Sequence, residues 1–486
     1  MKNILVAIFG LFFSSISFAQ MPFYATNINF NDNVIDVRSK GAVGDSITLD
    51  TKAFQKAIDA CTNSGGGVVR VPAGKYHIGT IILKNNVTLS LDFGAHLLGS
   101  QNFDDYRHDL KVAREEANSM CLIYAEDASN ITIEGLGVID GRGTPEAFPK
   151  WGEGKGKSRK RLPRPRLVRF ENCNQVKLSG VTFKRPAFWG VHIVDGTNIH
   201  IDGITIRFAG NNVNNDGLDI DGCQNVRIEN CDIESGDDGI CLKSSLNPCR
   251  NYVIRNNIVK SHTSPLKFGT SSAGGFIDID VSNNYFYDCP MGGIKLELVD
   301  GGKMENINIS RITMKNVGSP LFIRLGNRGR IYENFTEQIQ DADAKPEGAP
   351  IGSVKNIRIT DLVAEVVIPP VQAGHSSNPN GYTDRQRAQA GPIMIAGIPG
   401  HYIENVVLEN IEISYPGLGT KEDAKRVVAE DVARYPEQYF FGILPSWGAY
   451  IRHAKNVTFK NVKMTTREAD KREMIIVDDV DNFINQ

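Results

Sequence analysis

The chain has 486 residues, with 54 basic and 56 acidic side chains and a formal net charge of -2. So even a balance supplies no global field that would draw the protein to nucleic acid or to a membrane surface, and any charged ligand needs a local site. A hydrophobic content of 41% is ample for a core, and the length suits either several ordinary domains or one elongated repeat domain.

The N-terminus MKNILVAIFGLFFSSISFAQ carries one early lysine, Lys2, then an apolar run, then small residues at Ser17 and Ala19. That pattern predicts a signal peptide over 1–19, and hence an exported protein, periplasmic or secreted, with 20–486 as a single domain. Ser14, Ser15 and Ser17 interrupt the run, which argues against a membrane anchor, and no later segment reads as a membrane span. The eight cysteines are too sparse for a disulfide scaffold and lack the paired spacing of a zinc site. They are predicted to be small buried hydrophobes, with Cys241 and Cys249 as a candidate local bridge.

Next comes DTKAFQKAIDACTNSGGG, whose Phe54, Ala57, Ile58 and Cys61 have helical spacing, with Asp50 at the N-cap position. This helix is expected to cap the first of a long series of repeats. From Val87 onward a short unit recurs, as in NNVTLSL, SNITIEG, NQVKLSG, TNIHIDG, QNVRIEN and KNVTFKN. Its anchors Val176, Ile199, Val226 and Val253 lie about 23 to 28 residues apart, a period at which each repeat buries its apolar face only by stacking on its neighbours. Alternation with period 2 makes each unit a strand, and Asn before it suits a left-handed corner. The expected fold is all-β, a right-handed parallel β-helix (a solenoid) with an N-terminal capping helix and long inserted loops.

Three excursions leave the repeat: Gly143 to Arg166, Gly326 to Gly352, and a stretch containing KEDAKRVVAEDVARYPE, read as a helix over Lys421 to Glu437. Loops this long serve a function or stay disordered, and on solenoids they gather on the binding face. The first is basic, with Lys150, Lys155, Lys157, Arg159, Lys160, Arg161 and Arg164, either a solvated loop or a contact for an acidic ligand. The aromatic run YPEQYFFGILPSWGAY either closes a pocket or packs on the solenoid.

Asp216 in NNDGLDI and the pair Asp237 and Asp238 in SGDDGICLKS lie about one repeat apart. Equivalent positions of successive coils stack at about 4.8 Å, so these acids become neighbours and at least one is pushed toward its protonated form. Glycoside hydrolysis needs one carboxyl that keeps a proton while another works ionised. Taken alone, adjacent surface acids also fit solvated residues or a calcium site.

These residues resemble glycoside hydrolase family 28, the polygalacturonase-type β-helix enzymes. NNDGLDI resembles that family's Asn-Thr-Asp motif and SGDDGICLKS its Gly-Asp-Asp motif; the segment from Asn33 to Ser100, IDGRG at Ile139, and RPAFWGVH with Trp189 and His192 are also family-like. The resemblance implies an inverting mechanism without metal or other cofactor, on a polysaccharide or oligosaccharide, with Asp237 as general acid and Asp216 and Asp238 holding and activating water. Acid and base should then stand roughly 6.5 to 9.5 Å apart. Lys243 is expected to keep Asp238 ionised, Asp219 to support the site, and His192 and Trp189 to floor the cleft or join the core.

Two coils depart from the pattern. The family's Gly-His-Gly reads HTSPLKFGT here, with Ser264 at the histidine and His262 two residues out of register. The family's Arg-Ile-Lys, which binds a substrate carboxylate, reads Lys295-Leu296-Glu297, and a glutamate there repels a uronate. Lys267, Lys295 and Glu297 are therefore expected to set the subsite. The expected substrate is a pectic or related plant or algal polysaccharide, not strictly of galacturonate, with attack from the chain end the favoured mode. A pectate-lyase-type enzyme and a non-catalytic carbohydrate-binding β-helix are the alternatives.

Overall fold

A computed structural model describes residues 33–111, 119–150, 162–208, 213–332, 348–369 and 382–486. The signal-peptide segment and most of the basic loop, Lys155 to Arg161, lie outside them. The described strands pair in parallel, each with its counterpart one coil away, as a right-handed parallel β-helix. Among the described residues no helix is long and apolar enough to cross a membrane.

Alternation along each strand decides what faces inward. Along one sheet Val191, Leu218, Ile240, Leu266, Ile294 and Leu321 stack in register and fill the core. Ile193, Ile220, Leu242, Phe268, Leu296 and Ile323 form a second interior column. The outward column between them reads His192, Asp219, Cys241, Lys267, Lys295 and Phe322. The surface chemistry of this sheet is thus a list of every second residue, one taken from each coil.

The predicted corner asparagines hold the coils in register. Asn198, Asn225 and Asn251 have φ of 58°, 55° and 58°, a left-handed conformation that Asn tolerates better than most residues. Their amides also stack, with Asn225 Nδ2 donating to Asn198 Oδ1 and Asn251 Nδ2 to Asn225 Oδ1, each at 3.1 Å. The ladder continues through Asn356, Asn405 and Asn456, where the step rises to 49 and 51 residues because each later coil carries an excursion.

The helix expected after Asp50 spans Thr51–Asn63 and buries Ala53, Phe54, Ala57, Ile58 and Cys61 against the first coils. Asp50 holds the N-cap position, but its carboxylate accepts from Val43 N at 2.7 Å and Gly44 N at 3.0 Å instead of from the helix. All eight cysteines are buried and free, so the Cys241–Cys249 bridge does not form. Cys241 Sγ donates to Gly269 O at 3.2 Å and Cys249 Sγ to Lys243 O at 2.9 Å, bonds that hold the two thiols to different carbonyls.

The segment read as a helix over Lys421 to Glu437 is not one; its one helical stretch is the three-residue 3-10 turn Asp423–Lys425. Its backbone carbonyls are bound from outside. Arg324 donates to Glu430 O at 2.9 Å and Asp431 O at 3.0 Å, and Arg452 to Val428 O at 3.1 Å and to Ala429 O. A helix would have used those carbonyls internally. We call residues 416–445, between the strands Ile403–Tyr415 and Ser446–Thr466, the strap.

Candidate active site

The acids sit where two coils stack. Gly217 N donates to Asp238 O and Leu218 pairs with Ile240, so the residue stacked against Asp216 is Asp238, not Asp237. Asn215 secures this coil to the one before, its amide donating to Pro186 O at 2.9 Å and Phe188 O at 3.1 Å. The carbonyl of Asp237 is gripped by the hydroxyls of Ser235 at 2.7 Å and Ser261 at 2.6 Å.

One hydroxyl joins the pair: Thr263 Oγ1 lies 2.6 Å from Asp238 Oδ1 and 3.3 Å from Asp237 Oδ1. This brings an oxygen of each carboxyl closer together than the roughly 6.5 to 9.5 Å expected of an inverting pair. The reason is local, since both residues belong to the turn before strand Ile240–Ser244 and face the same hydroxyl.

The three carboxyls differ in proton affinity. Burial, then Asp219 and Asp237, hold Asp216 well above the usual carboxylate range. Burial and the adjacent Asp238 raise Asp237, which is half-buried. Burial would raise Asp238 too, but the ammonium of Lys267, then that of Lys295, outweigh it and hold Asp238 low. A carboxyl held toward its protonated form thus adjoins one held toward its ionised form, an arrangement suited to giving a proton and taking one in the same site.

Lys267, not Lys243, is the close partner of Asp238, at 3.2 Å from its Oδ2. Lys243 Nζ lies 3.5 Å from Asp219 Oδ1 and 4.5 Å from the centre of the Trp189 ring. Asp219 follows His192 in the outward column and is buried with it, and His192 meets Trp189 edge-on at 5.0 Å. Asp216, Asp219 and Cys241 bring donor atoms within 4.8 Å of one another. Burial holds the Cys241 thiol well above its usual value.

Lys295 and Glu297 do not line an open subsite as expected, for both are 0% exposed beneath the strap. Tyr435 reaches down onto Lys267, and Glu437 onto Lys267 and Lys295. Glu437 Oε2 meets Lys295 Nζ, its Oε1 lies 3.4 Å from Lys267 Nζ, and Tyr435 OH lies 3.4 Å from the same ammonium. Both carboxylate oxygens of Glu297 lack a hydrogen-bond partner among the described residues, and burial pushes its carboxyl up to about 8.

Beyond Lys295 the outward column turns apolar. Phe322, Met394 and Tyr450 are covered by Val428, Phe441 and Leu444 of the strap. The polar part of the outward column therefore ends at Lys267 and Lys295, where Tyr435 and Glu437 of the strap meet it.

The sequence model of Glycosyl hydrolases family 28 matches residues 61–338 of this chain. The chain belongs to family 28 of the glycosyl hydrolases. It is thereby an O-glycosyl hydrolase. A protein of Vitis vinifera described as "Probable polygalacturonase" is 30% identical over 350 residues, 67% of this chain and 68% of its own. An exo-poly-alpha-D-galacturonosidase of Dickeya chrysanthemi is 26% identical over 68% of this chain and 62% of its own. The solved family 28 exopolygalacturonase of Yersinia enterocolitica superposes with a TM-score of 0.66 at 21% identity, covering 93% of this chain and 78% of that one, a likeness of fold.

The family 28 match ends before the strap, so Tyr435 and Glu437 come from a part of the chain that it does not reach. Sequence reasoning named the run YPEQYFFGILPSWGAY that holds both as a pocket closure or a packing segment without singling out either residue, and it missed Thr263. His262, considered beside Ser264, is exposed, whereas Thr263 next to it carries the contact to both acids. Ser264 is stacked against Asp238 and its hydroxyl has no partner among the described residues. Arg164, of the basic excursion, is buried and bonded to Ala187 O, Val213 O and Asn214 Oδ1, which makes it a brace for the acid-bearing turn.

Proposed function

We propose that the protein is an exported glycoside hydrolase that removes sugar from the end of a pectic polysaccharide. The observation that carries the hydrolase reading is the split within one turn, where Asp237, raised, and Asp238, lowered, share the Thr263 hydroxyl beside the stacked Asp216. Asp237 gives its proton to the glycosidic oxygen as the bond from that oxygen to the anomeric carbon breaks. Asp238 takes a proton from water as the water oxygen bonds to the same carbon, and Asp216 holds that water. The departing hydroxyl leaves with the proton from Asp237, and proton exchange with solvent resets the pair.

Inversion is the course the family resemblance implies, with water bound at the stacked Asp216 and Asp238. The close approach of Asp237 and Asp238 at Thr263 is nearer the retaining spacing, so the anomer of the first product is the decisive reading. NMR of that product should give the inverted form; a retained form would replace water attack with attack by a carboxylate. Metal independence is supported by Lys243 and Lys267, whose ammonium groups already stand against Asp219 and Asp238. Activity should persist in excess chelator.

Attack from the chain end is supported by the strap, which covers the outward column from Phe322 onward. A pectic substrate is supported by the names of the Vitis and Dickeya relatives. Purified protein should release single sugars or short units from pectic oligosaccharides, and Asp237→Asn should not. Absence of any cleavage beyond that of Asp237→Asn across the panel would end the hydrolase reading. Export is supported by the Met1 to Ala19 pattern, and the exported chain should begin at Gln20.

A further inference from the structure

Glu437 is a carboxylate of the chain itself, placed on two lysines where the strap meets the outward column. Its oxygens meet Lys295 Nζ and, at 3.4 Å, Lys267 Nζ, and Lys267 also pairs with Asp238 at 3.2 Å. Two ammonium groups are thereby matched by two carboxylates, and Glu437 is only 4% exposed. Glu297, between them, is held toward its neutral form by burial and adds an unpartnered acceptor rather than a cation. A second carboxylate brought here by a sugar would be desolvated against two ammonium groups that carboxylates already match, which is unfavourable.

A hydroxyl fares differently. Near this wall the described residues offer Tyr435, half-buried with its ring 5.5 Å from Lys267 Nζ, whereas the oxygens of Glu297 and Ser264 stay buried behind it. The Tyr435 ring and hydroxyl supply an apolar face and a hydrogen-bonding oxygen, the pairing that suits an uncharged sugar ring. The strap is also fastened independently of the lysines, through Arg324, Arg452 and the cluster at Phe322. Glu437 is therefore a fixed part of the wall.

We propose that Glu437 is a specificity-determining residue: it occupies Lys267 and Lys295 as an internal counter-ion, so that the sugar bound against the strap is a neutral one and a uronate there is rejected. This rests on the proposed hydrolase function only in seating a sugar beside Asp237 and Asp238.

The test is binding, measured by calorimetry at neutral pH on full-length Asp237→Asn, which suppresses turnover. The probes are α-1,4-digalacturonate and its carboxyl-reduced counterpart, which differ only in the charged groups. The reduced disaccharide should bind at least tenfold more tightly. Adding Glu437→Gln frees the ammonium groups and should narrow that ratio at least tenfold or reverse it. Adding Lys295→Gln instead, which leaves Glu437 in excess, should widen it, so the inference stays testable if the first variant folds poorly. Tighter binding of digalacturonate to the parent, a ratio unmoved in the variants, or no binding of either sugar to any form overturns the proposal. Turnover by the unmutated protein is scored separately: cleavage with uronate preference at the wall sinks this inference alone, and no cleavage at all sinks the hydrolase reading.

Discussion

A single hydroxyl, Thr263 Oγ1, ties two carboxyls of opposite tendency together, and the side chains around it fix which keeps its proton. Asp237→Asn preserves shape while removing the transferable proton. Its turnover should fall by about 10²- to 10⁴-fold with the melting temperature nearly unchanged, measured by reducing-sugar release and calorimetry. Glu297 gives a pH signature of known sign. Unfolded, it releases its proton near the ordinary value of 4.5, whereas folded it does so only at about 8. The folded state thus binds the extra proton between those values, and stability falls as pH rises through that interval. Glu297→Gln should flatten the fall in melting temperature between about pH 5 and pH 8; identical pH profiles for the two proteins would refute the buried, protonated carboxyl.

At the scale of elements, the corners and the strap do different jobs. Each corner asparagine supplies a left-handed conformation and a rung to its neighbours. Asn225→Ala loses both and should cost about 1–2 kcal/mol, and Asn225→Gly should recover part of it because glycine tolerates the same φ. The strap is held in its irregular path by guanidinium groups on its carbonyls. Arg452→Met would leave Val428 O and Ala429 O without these donors, and limited proteolysis should then cut within 426–440 several-fold faster than in the parent. Equal cleavage rates would mean that the apolar cluster at Phe322 alone holds the strap.

At the scale of the whole molecule, cohesion runs from coil to coil, so damage should stay local. Ile228→Ala removes a fully buried side chain between the coils of Ile201 and Ile254 and should cost about 2–5 kcal/mol, with loss of amide protection confined to adjoining coils. The same coil-to-coil logic explains what was legible in the sequence. Strand alternation, corner asparagines and the stacking of Asp216 on the Asp237–Asp238 coil are local or derive from one repeat length. Tyr435 and Glu437 derive from neither, since they leave the repeat and meet Lys267 at separations of 168 and 170 residues. The segment Lys421 to Glu437 even has helical apolar spacing, and distant contacts, from Arg324 and Arg452 and from the cluster at Phe322, make an irregular path the better one.

That separation also has a meaning in time. Lys267 and Lys295 are synthesised before Glu437, which follows Lys295 by 142 residues. Until the strap is in place the two ammonium groups lack this counter-ion. A chain interrupted before the strap would carry every acid of the site yet present unmatched cationic charge in place of a neutral wall. A late-synthesised part of the polypeptide decides what the earlier part will accept.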